Sequence, residues 1–199
     1  MFEDILGHTV RSLHPRSKVA VMLSGGVDST LIYWALRALS TAMRFELTTY
    51  TVEDRSGYDA HVQEIRDFLG LSMKWDTWVQ NVPNGDGWDG NIDGGIKTVL
   101  MSMKHDYVFT GVTANPPVEL PNAPVRMTRD QIRNIPTLVC PFIERTKDYV
   151  YSRYIKYELQ RLYSLTHSCT NQPVGGCGHC FQCLEKHWAE EQVTMTNRS

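Results

Sequence analysis

The run Ser24-Gly25-Gly26-Val27-Asp28-Ser29-Thr30 constrains this chain more than any other stretch. The five apolar residues Val19 to Leu23 precede it and read as a buried strand. Leu31 to Leu39 follow it and read as a helix continuing to about Ser40. The order is strand, glycine-rich turn, helix start. Two adjacent glycines allow a sharp turn and a close backbone approach. The first N–H groups of a helix have no partner within it, and its dipole favours an anion there. Ser24, Ser29 and Thr30 add hydroxyls, so phosphate suits the turn, although a plain capped strand-to-helix turn uses the same residue types. The Walker A pattern is absent, since no lysine lies in the loop.

The remaining segments predict alternating helices and strands. Apolar residues at one-face spacing predict a helix over residues 2–13, stopped by Pro15. Strands are expected at Phe45–Val52, Met73–Val79 and Tyr107–Thr110, with helices over 60–69 and from Ile96 to Met103. Residues 81–95 hold five glycines and three aspartates and read as a long connection. Leu138 to Phe142 is a short apolar segment, and Asp148 to Leu165 reads as one long helix. This alternation implies an α/β fold with a doubly wound, mostly parallel sheet. The strand ends at Tyr50–Val52 and at Thr110-Gly111 then share an edge with the glycine turn, where such sheets bind ligands. Tyr50 borders a nucleotide base on this reading, and Gly111 gives a ligand close access. Residues 1–165 are expected to form the nucleotide-binding α/β domain, and 166–199 a small appended unit.

Cys169, Cys177, Cys180 and Cys183 have the spacing C-x7-C-x2-C-x2-C. Four clustered thiolates surround a tetrahedral ion readily, and the nearby glycines permit tight turns. Zinc suits this set, and an iron–sulfur cluster uses the same ligands. His167, His179 and His187 are substitute ligands that four thiolates make unnecessary. Cys140 stands apart and reads as a small buried apolar residue. The formal charge of −2 gives no basic field for nucleic acid. Arg126, Arg129, Arg133, Arg145, Lys147, Arg153, Lys156 and Arg161 crowd the second half and read as solvated helix faces. Neither a membrane-spanning run nor a secretory signal is found, so the expected location is the cytoplasm.

The loop resembles the Ser-Gly-Gly-x-Asp-Ser signature of the PP-loop ATP pyrophosphatase superfamily, in Ser24, Gly25, Gly26, Asp28 and Ser29. That resemblance implies an adenine nucleotide alpha hydrolase-like (HUP-type) fold, ATP with Mg²⁺, and cleavage to AMP and pyrophosphate. The loop, a Cys-Pro-Phe segment, a lysine before a helix and the terminal cysteines together resemble 7-cyano-7-deazaguanine synthases. Such enzymes adenylate 7-carboxy-7-deazaguanine and convert it with ammonia to an amide and then a nitrile. The resemblance implies that Asp28 coordinates metal or pyrophosphate and that Lys147 neutralises phosphate charge. Dimers are common in the family, so a homodimer is expected on that ground alone. Two departures stand out: Gly111-Val112-Thr113-Ala114-Asn115-Pro116-Pro117 replaces the family's substrate segment, and Glu185-Lys186-His187 replaces an arginine after the last cysteine. Sulfur-handling PP-loop enzymes with an iron–sulfur cluster, and a non-catalytic nucleotide-binding module, are the competing readings.

Overall fold

The computed structural model describes residues 2–52, 58–70, 76–77, 81–82, 88–172 and 174–196. The chain runs α1 (Glu3–Leu6), a 3-10 turn (Gly7–Ser12), β1 (Lys18–Met22), α2 (Val27–Met43), β2 (Glu46–Val52) and α3 (Tyr58–Phe68). It continues through β3 (Asp76–Thr77), β4 (Asn81–Val82), α4 (Trp88–Met101), β5 (Tyr107–Phe109), α5 (Arg129–Ile132) and β6 (Leu138–Val139). It ends with α6 (Lys147–Lys156), α7 (Gln160–Ser164) and α8 (Phe181–Thr196).

The sheet order is β3-β2-β1-β5-β6, with β4 pairing β2 further along the edge that β3 occupies. Every strand pairing is parallel. The fold is therefore α/β with helices on both faces, as the alternation predicted. Alternate residues feed two cores. Val19, Val21, Leu47 and Phe109 pack with α1, α2, α3 and α6. Ala20, Met22, Val108 and Leu138 pack with Ile96 and Val99 of α4. The chain winds outward from β1 through β2 to β3, then returns to β5 and β6 on the other side. The sheet thus has its switch point between β1 and β5, and ligands bind beyond the strand ends at such a point.

Several expectations need correction. The helix expected over 2–13 is one short α-turn followed by 3-10 geometry, with Gly7 at φ 65 between them. The connection expected over 81–95 holds β4 and the first turns of α4 instead, while 83–87 lie outside the described residues. Glycine costs a helix about 1 kcal/mol per residue, and here burial of Ile96 and Val99 against the sheet offsets it. Of the strand expected at Met73–Val79, only Asp76–Thr77 lie within the described residues. The helix expected over Asp148–Leu165 is broken. The Leu159 and Glu158 N–H groups reach back to Tyr154 and Ile155, at 2.8 and 3.1 Å. Glu158 has φ 58, so this is a helix-ending left-handed cap without the usual glycine. Helix α8 was not expected at all; it packs along α6. No helix of the described residues is long and apolar enough to cross a membrane.

Candidate functional site

The glycine turn leaves β1 at the switch point. Its root is tied to β2: Leu23 N–H donates to the Tyr50 carbonyl at 2.7 Å, and the Thr51 hydroxyl donates to the Leu23 carbonyl at 3.0 Å. Gly25 has φ +75, a conformation that side-chain-bearing residues avoid, and its carbonyl accepts the His167 N–H at 2.9 Å. Gly26 is the extended N-cap of α2. The Ser24 and Ser29 hydroxyls lie 3.1 Å apart, and Ser29 Oγ donates to the Gly26 carbonyl at 3.3 Å. Ser24 is exposed on the turn. Thr30 is fully buried, so its hydroxyl lies inside and does not serve the outer face of the turn. Val27 is buried too, and its carbonyl accepts the Tyr154 hydroxyl at 2.7 Å.

Asp28 sits in the first turn of α2 with its side chain 13% exposed. One oxygen, Oδ2, faces Lys147 Nζ at 3.2 Å; the other, Oδ1, is buried without a hydrogen-bond partner. Lys147 is the first residue of α6, and its ammonium also meets Glu185 Oε2 at 3.0 Å. Glu185 in turn holds Arg126 at 2.7 Å, and Arg126 donates to the Thr113 and Ala114 carbonyls just beyond β5. Burial works against the Lys147 charge, but Asp28 and Glu185 outweigh it and raise its pKa. Burial pushes the Asp28 carboxyl up, against the pull of Lys147. The cluster holds two cations and two anions, which is how buried charges persist.

The sequence therefore placed Asp28 and Lys147 in one site, and the structure brings them together. Sequence reasoning missed Arg126 and Glu185. Arg126 was expected on a solvated face, whereas its side chain is 16% exposed and paired. Other bases in that half also find acids: Arg153 and Lys156 meet Asp4 at 3.0 and 2.6 Å, and Arg129 meets Glu144 at 2.7 Å.

Gly111, expected to give a ligand close access, is a point of close approach within the protein. A Cβ there would lie 2.7 Å from Ser29 N and 2.8 Å from Asp28 Cβ. Its bareness lets the first turn of α2 settle on β5. Thr110 is buried, with its N–H donating to Val139. Tyr50 packs on the α4 face of the sheet, and its hydroxyl lies 3.0 Å from His105 Nε2. The structure does not bring that ring to the turn. The adjoining Glu53, Asp54 and Arg55 lie outside the described residues.

The four clustered cysteines converge, with their Sγ atoms all within 4.8 Å of one another. Backbone N–H donors bring the Cys177 thiol down to about 6. His179 Nδ1 lies 2.8 Å from the Cys177 carbonyl, and His187 pairs with Glu191. Neither histidine joins the cysteine group. The His167 ring stacks on His61 with centroids 4.3 Å apart. Cys140 is buried as expected, and burial pushes its thiol up to about 12. A cavity of about 300 Å³ lies between α3 and the cysteine group, lined by His61, Glu64, His167, Ser168, Cys183 and Lys186 among others. His61, which lines it, packs against the glycine turn, since the position of a Gly25 Cβ lies 3.4 Å from His61 Cβ.

Parts of this chain resemble known proteins. The asparagine synthase family matches residues 1–70, the segment holding β1, the glycine turn, α2 and β2. The U34-tRNA thiolase NcsA from Methanococcus maripaludis, solved with its 4Fe-4S cluster, is similar in structure with a TM-score of 0.50. The likeness covers 98% of this chain and 70% of that one at 16% identity. No curated protein matches the sequence. The family match takes in the glycine turn, and the structural likeness shows a shared α/β fold.

Proposed function

We propose that this protein is an ATP-dependent carbon–nitrogen ligase. It adenylates the carboxylate of a 7-deazapurine such as 7-carboxy-7-deazaguanine, and ammonia then displaces AMP. The observation that carries the nucleotide half is the arrangement at Asp28. A nearly buried carboxylate opens the helix at the sheet's switch point, with one oxygen on Lys147 and the other without a partner. An unpartnered carboxylate oxygen suits a hard cation, and Asp28 is the residue that would hold Mg²⁺. Bound there, Mg²⁺ would neutralise phosphate charge and stabilise the departing pyrophosphate. The backbone donors at the start of α2, with Ser24 and Ser29, hold the phosphate oxygens. Lys147 supplies a positive charge that burial keeps undiluted by water. Activation is needed because a carboxylate is a poor electrophile, and the phosphoanhydride makes AMP a good leaving group. The cavity lined by His61 and His167, both of which touch Gly25, has room for a bicyclic acceptor.

The cysteine group is read as a structural zinc site. Zinc–sulfur bonds near 2.3 Å put tetrahedral thiolates about 3.8 Å apart. The observed separations of 4.8 Å or less fit one central ion. An iron–sulfur cube gives each thiolate its own iron and so needs a wider spread. A reducing cytoplasm, where thiols stay free for metal, fits this reading. A second reading is favoured by the structural neighbour: thiolation chemistry in which the cysteines hold a cluster. Metal analysis separates the two, with one zinc and no labile sulfide expected for the ligase.

The deciding experiment incubates the protein with ATP, Mg²⁺, ammonium and 7-carboxy-7-deazaguanine, and reads nucleotides and products by mass spectrometry. AMP and pyrophosphate that appear only with the acceptor, together with its amide or nitrile, are expected. Absence of acceptor-dependent AMP release across a panel of carboxylates overturns the proposal.

A further inference from the structure

Four distant parts of the chain meet in the charge cluster. Arg126 comes from the segment after β5, Glu185 from α8, Lys147 from the start of α6 and Asp28 from the start of α2. Glu185 is the centre of this line and has no exposed surface. It also stands two residues beyond Cys183, in a helix whose first residue, Phe181, lies inside the cysteine group. An ion gathering the four thiols would fix the start of α8, and the start of α8 fixes Glu185. From there the contacts run 3.0 Å to Lys147 and 3.2 Å on to Asp28. Glu185 does a second thing: through Arg126 it holds the Thr113 and Ala114 carbonyls just beyond β5.

We infer that Glu185 is a positioning residue that couples metal loading of the cysteine group to phosphate binding at the glycine turn. Sharing Lys147 between two carboxylates is the physical core of the coupling. With Glu185 in place, the ammonium is divided between Glu185 and Asp28, and Asp28 keeps an oxygen for a cation. When Glu185 loses its charge or its place, Lys147 closes onto Asp28 alone and competes with Mg²⁺ there. The inference rests on the reading that the turn and Asp28 bind the Mg²⁺–pyrophosphate end of ATP.

The test uses the full chain and Mg²⁺–pyrophosphate as probe, measured by calorimetry. In the zinc-loaded wild type, pyrophosphate binds, and stripping zinc with a chelator weakens binding about tenfold or more. Reloading restores it. Glu185→Gln with full zinc shows a loss of similar size, and stripping it adds less than twofold. By reciprocity, Mg²⁺–pyrophosphate tightens zinc binding in the wild type by the same factor as zinc tightens pyrophosphate. Chelator competition reads this with only a fraction of the zinc removed, so the answer does not depend on a stable stripped protein. The double variant Arg126→Met/Glu185→Gln removes one charge of each sign. It gives the same insensitivity to zinc should the single variant fold poorly. Wild-type affinity in zinc-loaded Glu185→Gln overturns the coupling, as does an equal effect of stripping on variant and wild type. If the zinc-loaded wild type binds no pyrophosphate, the nucleotide reading itself falls, and the inference falls with it.

Discussion

At the scale of single residues, two neighbours of the glycine turn carry the sharpest expectations. Gly111→Ala places a methyl 2.7 to 2.9 Å from backbone and side-chain atoms of Ser29 and Asp28. The backbone atoms of the first turn of α2 cannot swing aside like a flexible side chain. A cost of about 1–3 kcal/mol is expected, as for other overpacked sites, and is read as a lowered urea midpoint. Pyrophosphate affinity drops with it, because Asp28 is among the displaced groups. An unaltered midpoint would show that α2 is not seated on β5 as described. Lys147→Met leaves Asp28 and Glu185 facing Arg126 alone. Breaking a buried ion cluster in this way costs about 3–5 kcal/mol. Adding Asp28→Asn to that variant removes the surplus negative charge, so part of the stability returns while activity stays absent. If the double variant is the less stable of the two, the cluster is not the source of the loss.

At the scale of elements, the cysteine group behaves as a joint between α8 and the rest of the chain. It brings Cys169, the first of its four members, against Cys180, with the two sulfurs 4.0 Å apart. Metal binding in such a unit is folding free energy. Cys180→Ser is expected to bind less zinc than the wild type and to melt several degrees lower. Full zinc with an unchanged melting temperature counts against a structural role. This element and the glycine turn were both legible in the sequence because each is contiguous: its residue types and spacing lie side by side. The charge cluster was not. Glu185 and Arg126 are 59 residues apart, and nothing local marks either as buried. Glu185 had only a negative signal, since it lies where the chain departs from the pattern of the family it resembles, and Arg126 was one base among many. The break between α6 and α7 was hidden for another reason. Tyr157-Glu158-Leu159 contains neither glycine nor proline, yet Glu158 takes the left-handed cap. Apolar spacing alone ran straight through it.

At the scale of the whole molecule, Asp4 ties the first helix to the end of α6. It accepts from Arg153 and Lys156, and from the Tyr157 hydroxyl at 2.7 Å. Despite the opposing effect of burial, these donors hold its carboxyl down at about 2. A depressed folded-state pKa contributes stability above the unfolded value near 4, lost as pH falls through the folded one. The stability of Asp4→Asn is thus expected to fall less steeply than that of the wild type between pH 4 and 2. Identical acid slopes would exclude this tie as a source of acid sensitivity. The parallel sheet was readable from the alternation of elements, whereas the order of its strands needed the long-range pairings. That order has a consequence in time. β1 is the central strand, yet its pairing with β5 waits for Tyr107 to Phe109. At synthesis rates of about 5–20 residues per second, the 87 positions from Met22 to Phe109 take roughly 4–17 s to appear. Throughout that interval the nascent chain carries its central strand with one edge open. α2 and β2 are already made by then and cover part of it, so the nucleotide-binding turn takes shape early, and its lysine and glutamate arrive last.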